Sequence, residues 1–179
     1  MNLLPLTLAG LASISLAVTS SRAADPDFSL KDGQVLGRTL GYVGETTSNV
    51  AVVGIAFAPA NPASQREAAL IQSVIGDELA AGRVRLRVRL LPVEQLAAAA
   101  GINAIYVTGG LYSGMSAVAT AAQRLHVPTI AANLACVQSG GCIVGFSSEP
   151  TVQILVDQQA AEKTGVHFRQ AFLMLVREK

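Results

Sequence analysis

Two cysteines, two histidines, a row of arginines and a Thr-Gly-Gly turn carry the chemistry this sequence could perform. Cys136 and Cys142 are the only cysteines in 179 residues, with VQSGG between them. Such a pair could bridge, bind a metal or act as a redox couple. The two-residue spacing of metal and redox motifs is absent, and neither His126 nor His167 is near in sequence, so the pair predicts a disulfide. Closing so short a loop stabilises the fold by about 2.4 kcal/mol in the chain-entropy description.

Thr108-Gly109-Gly110 ends a predicted strand. Ligands of open parallel sheets gather beyond the carboxyl ends of strands. Glycines there let backbone N–H groups approach an anion or a carbonyl. The loop from Pro59 to Ser64 and Asn133 fall on the same rim. The commoner use of paired glycines is a tight strand-to-helix connection. Arg83, Arg85, Arg87 and Arg89 alternate with Val84, Leu86, Val88 and Leu90, so they share one face of a strand. That face could bind an acidic partner; the plainer expectation is a solvated edge that blocks strand-to-strand pairing. His126 and His167 have no partner at metal-ligand spacing and read as structural. Glu149-Pro150 reads as a turn. The chain carries no HExxH, no Gly-x-Ser-x-Gly, no P-loop and no dinucleotide fingerprint, so the expectation is no catalytic residue, no cofactor and no metal.

The elements that position these residues follow from periodicity. VAVVGIAFA (50–58) and INAIYVT (102–108) are continuous apolar runs, the pattern of strands covered on both faces. Ser64 to Glu67 fits a capping box ahead of a helix carrying Leu70, Ile71, Val74, Ile75 and Leu79, with Gly82 as its stop. A short helix over 93–100, a helix from Ser113 to Leu125 and a strand from Val127 to Ala132 follow. Strands near 142–147 and 151–156 come after the cysteine loop. Asp157 caps a helix that ends at Gly165, and Phe168, Phe172, Leu175 and Val176 mark a closing amphipathic helix. Residues 33–43 predict an opening helix. The alternation predicts an α/β fold: a single doubly wound, mostly parallel sheet sandwiched by helices, a Rossmann-like three-layer unit.

Composition sets the outer bounds. Half the chain is apolar (51%), 14% is charged and 4% is aromatic with no Trp. Global disorder is excluded, and the near-zero charge argues against nucleic acid as partner. Residues 3–18 are apolar and uncharged, interrupted by Pro5 and Gly10, and Ser21-Arg22-Ala23 follows. Although no Lys or Arg opens the run, it predicts a secretory signal over 1–23, cleaved near Ala23, with 24–179 as one exported periplasmic domain. Removing 1–23 takes away Arg22 and no acid, so the mature formal charge is zero.

Residues 129–179 carry Gly140-Gly141 at the end of a loop and Phe146 in the next strand. Ile154 to Val156, Ala160-Ala161, Gly165, and Phe168 with Phe172 and Leu173 follow. This order resembles the C-terminal half of the YfiR/HmsC-type periplasmic proteins, and VLGRTLGYV resembles their first helix. The chain departs from that family at Gly44-Glu45, Cys142 and Ala132-Asn133. The resemblance implies a non-enzymatic regulator that works in pairs, hence a homodimer. Its partner would be the periplasmic part of a membrane diguanylate cyclase, restrained in cyclic di-GMP signalling and biofilm control. The same tail resembles periplasmic substrate-binding components of ABC transporters. On that reading the chain is one lobe of a small-ligand receptor, with Thr108, Gly109, Gly110 and Asn133 at the pocket floor.

Overall fold

A computed structural model describes residues 28–44 and 49–179; the expected signal over 1–23 lies outside them. Helix α1 (Leu30–Leu40) opens on a capping box: the Asp32 amide donates to Ser29 Oγ at 3.2 Å, and the Ser29 amide donates back to the Asp32 carboxylate at 2.7 Å. Strand β1 (Val50–Phe57) leads to α2 (Pro62–Ile75), β2 (Leu79–Ala81) and β3 (Val84–Pro92). A 3-10 turn over 93–98 precedes β4 (Ala104–Val107), α3 (Met115–Leu125), β5 (Thr129–Ala131), α4 (Leu134–Gln138) and β6 (Val144–Ser147). The chain closes with β7 (Gln153–Val156), α5 (Gln158–Thr164), α6 (Gln170–Leu173) and β8 (Arg177–Glu178).

The strands form one sheet in the order β2-β3-β1-β4-β5-β6-β7-β8. The run β3-β1-β4-β5-β6 is parallel throughout; β2 and β7 join it antiparallel. Alternation along each strand divides the core between the two faces. Val53, Ile55, Leu86 and Tyr106 pack beneath α1 and α2, while Ala56, Leu91, Ile105 and Val107 pack beneath α3. The mostly parallel sheet with helices on both faces is the architecture that the alternating pattern predicts.

Several boundaries differ from the sequence expectation. Helix α2 starts three residues earlier than the Ser64 box, because Asn61 accepts from the Ala63 and Ser64 amides and Pro62 occupies the first turn, where its missing N–H costs nothing. The same helix ends at Gly76, whose φ of 62° favours glycine. Leu79 therefore enters β2, and Gly82 turns the β2–β3 hairpin instead of stopping a helix. Helix α4 runs into the cysteine loop, with Cys136 on the helix. The closing helix is short: Phe172 is buried, but Leu175 is 75% exposed. Beyond α6 the backbone pairs with β7 as β8, which satisfies that strand's outer hydrogen-bonding groups.

The arginine row is not on the outer strand. Its side chains are exposed, as the alternation predicts, but β2 lies outside β3. Arg85 and Arg87 share Glu78, at 3.5 and 2.9 Å. Arg89 donates to the Ala100 carbonyl, and the Arg83 guanidinium lies 5.9 Å from the Tyr42 ring centre.

Candidate functional site: a cleft at the carboxyl end of the sheet

The parallel run places β1 between β3 and β4. From β1 the chain passes to α2 on one face; from β4 it passes to α3 on the other. The two connections therefore diverge, and a crevice opens beyond the strand ends where the winding reverses. A cleft of about 780 Å³ lies there, within the range of small-molecule sites.

All four residues expected on the rim, Thr108, Gly109, Gly110 and Asn133, line this cleft. Three of them are occupied in building it. The buried Thr108 hydroxyl donates to the Ala56 carbonyl at 2.9 Å and lies 2.6 Å from Ser64 Oγ, which accepts from the Ala58 amide. Gly110 has φ 78°, its carbonyl accepts from Asn61 Nδ2 at 3.1 Å, and a Cβ there would stand 2.3 Å from that nitrogen. Asn133 caps α4 by accepting from the Ala135 amide at 2.8 Å.

Gly109 is also engaged within the chain. Its amide donates to Glu67 Oε2 at 2.7 Å, so the donor is already held by a carboxylate of the chain itself. Glu67 Oε1 in turn accepts from the Tyr106 hydroxyl at 3.0 Å, and that hydroxyl accepts from the Ala132 amide at 3.3 Å. Burial raises the Glu67 pKa above its ordinary value, against the lowering effect of the Gly109 and Tyr106 hydrogen bonds. Burial, and then the nearby Glu67 charge, drives Tyr106 well above its ordinary value; its hydroxyl stays protonated and donates. Phe28 packs edge-on against the Tyr106 ring at 5.7 Å.

Glu67, Tyr106 and Phe28 are the site residues that sequence reasoning missed. Glu67 was assigned to a helix cap. The available signal was Tyr106 itself: a buried tyrosine in an otherwise apolar strand needs a partner for its hydroxyl. The disulfide is formed, joining Cys136 on α4 to Cys142 with Cα atoms 5.3 Å apart. Cys136, Gly140 and Gly141 supply another wall of the cleft.

The other singled-out residues lie elsewhere. His126 ends α3 in the left-handed region, φ 53°, with Nδ1 3.0 Å from the Thr164 carbonyl. The His167 carbonyl accepts from the Gly44 amide. The arginine row does not line the cleft. Among the described residues no group of three His, Cys, Asp or Glu could hold a metal ion, and no helix is long and apolar enough to cross a membrane.

The same fold occurs in solved structures. An ABC domain from Streptococcus pneumoniae in complex with L-Trp superposes with a TM-score of 0.55 at 14% identity, over 83% of this chain and 59% of that one. A conserved domain protein from Vibrio cholerae gives the same values. A ligand-free, open substrate-binding protein with adhesive properties from Clostridium difficile gives 0.57 at 13% identity, over 85% and 60%. The chain thus spans about three-fifths of the length of the structures it matches. No protein-family model and no curated protein sequence matches it.

These likenesses show the fold of ABC-type substrate-binding proteins and correct the regulatory expectation. The YfiR/HmsC resemblance rested on small and apolar residues of the C-terminal third. Here they have ordinary structural uses: Gly140 turns the disulfide loop at φ 79°, Phe146 is fully buried, and Gly165 ends α5. The structures that share the fold are an L-Trp complex and a substrate-binding protein, and the cyclase reading finds no support in them.

Proposed function

We propose that this chain is an exported, non-catalytic binding protein that seats a small molecule in the cleft beyond β1, β4 and β5. The observation that carries this reading is the convergence of Glu67, Tyr106 and Gly109 on an open cleft at the winding reversal. The L-Trp complex of a similarly folded protein supports it. The side chains at the cleft provide fixed hydrogen-bonding groups on an apolar surface, which is the composition of a recognition site.

A thermal-shift screen of amino acids, sugars, amines and inorganic anions tests this. A ligand present at a hundredfold excess over its Kd stabilises the native state by about 2.7 kcal/mol. Ala135 is exposed on α4 and lines the cleft, so Ala135→Trp fills the space at little cost to the fold. At least one compound is expected to raise the Tm of the native protein and not that of Ala135→Trp. If no class of compound does so, or if the shift survives the substitution, the cleft is not the binding site.

A further inference from the structure

We infer that the ligand of this cleft bears a cationic nitrogen, an ammonium group, on an apolar body, and that Glu67 receives it. This rests on the cleft being a ligand site, as proposed above, and adds the class of ligand. Among the described residues that line the cleft, Glu67 is the sole charged one. Its neighbours do not neutralise it. Both hydrogen bonds it accepts come from uncharged donors, the Tyr106 hydroxyl and the Gly109 amide.

Those two donors fix the carboxylate without exhausting it. A carboxylate offers about four acceptor positions, and two are used. Tyr106 is fixed in turn, because its oxygen accepts from the Ala132 amide and its ring packs against Phe28. The acid is therefore held by a rigid strand, a turn and a helix, the arrangement that recognition at a set position requires. Partial burial of an uncompensated carboxylate is unfavourable, and its raised pKa reports that cost. An ammonium group beside it removes the cost; a carboxylate or phosphate ligand increases it. The Gly109 N–H that an anion would need is occupied. Phe28, Leu111, Met115 and the alanines 131, 132 and 135 contribute apolar surface that suits a hydrocarbon or aromatic body.

The experiment uses three probes that share one body: phenethylamine, phenethyl alcohol and 3-phenylpropionate, titrated calorimetrically into the full chain at pH 7.5. The amine is expected to bind at least tenfold more tightly than the alcohol, and the propionate more weakly than both. Glu67→Gln should cut amine affinity at least tenfold while leaving the alcohol within about twofold. In the native protein, amine affinity should also fall as the pH drops and Glu67 takes up its proton, with alcohol affinity unchanged. That readout needs no variant to fold. Preferential binding of the propionate, or amine binding indifferent to both Glu67→Gln and acid, overturns the assignment of ligand class. If that binding is still abolished by Ala135→Trp, the cleft remains the ligand site. Failure of all three probes in the native protein overturns the assignment, and the wider screen then decides separately whether the cleft binds anything.

Discussion

At the carboxyl end of the parallel strands, the cleft holds one carboxylate, Glu67, gripped by a tyrosine hydroxyl and a backbone amide. At the amino end, a second hollow of about 510 Å³ is walled by Arg83, Arg169 and His126. Its charged and polar groups serve the fold. Arg169 donates to the Gly44 carbonyl at 3.2 Å, Arg83 lies over the Tyr42 ring, and His126 meets the Thr164 carbonyl. These contacts tie Arg169 and the start of β3 to the segment after α1, and the end of α3 to α5. The contrast teaches that cations around a hollow do not make an anion site when the fold already uses them. A single acid whose neighbours are neutral donors keeps its charge available to a guest.

Both ends depend on the same sheet, so the largest expected effect lies between them. Leu86 is fully buried, whereas the adjacent Arg87 is exposed. Leu86→Asp places an unpaired charge in the core and should abolish cooperative urea unfolding. A soluble variant with an unchanged midpoint would show that the faces of β3 are reversed. Next is the wall of the cleft: replacing Cys136 and Cys142 with serine should lower stability by about 2.4 kcal/mol, read from the urea midpoint with and without reductant. Native protein carrying free thiols would contradict the bridge.

Tyr106→Phe leaves Glu67 Oε1 and the Ala132 amide without their shared partner. Its expected cost is about 2 kcal/mol, together with weaker ligand binding. At the amino end, Asp157→Ala should cost about 1 kcal/mol and leave ligand affinity unchanged; a change in affinity would join the two ends that are separated here. Asp157 caps α5 through the Ala160 amide and pairs with Lys179 at 3.2 Å. Burial pushes its pKa up, but the cap and Lys179 outweigh that and hold it below its ordinary value. The stabilisation is therefore present above the unfolded carboxyl's pKa and is lost as pH falls through the lower folded value. The gap between native protein and Asp157→Ala should narrow in acid; a gap that widens there would reverse the sign. The smallest effect is expected at Arg87→Asp, on an exposed ion pair, at about 0.5 kcal/mol or less in thermal unfolding.

The regular elements were legible wherever one pattern ruled. The apolar runs at β1 and β4 and the alternation of β3 placed three adjacent strands. Thr108 to Gly110 marked the end of one of them. What misled was local chemistry with two outlets. Ser64 and Glu67 have the spacing of a cap, yet Asn61-Pro62 begins the helix and releases both side chains, one to Thr108 and one to Tyr106 and Gly109. Phe172 and Leu175 share a helical spacing, yet pairing with β7 ends the helix between them.

By itself the sequence determined the layered architecture, the disulfide and the turn at which the cleft opens, because each is written in contacts between near neighbours or in a repeated period. Only the tertiary structure decided the character of the site. Glu67 meets the Gly109 amide 42 residues away and the Tyr106 hydroxyl 39 residues away. No local period encodes such a meeting. It follows from β1 and β4 lying side by side, which brings the second turn of one crossover helix against the turn that begins the other.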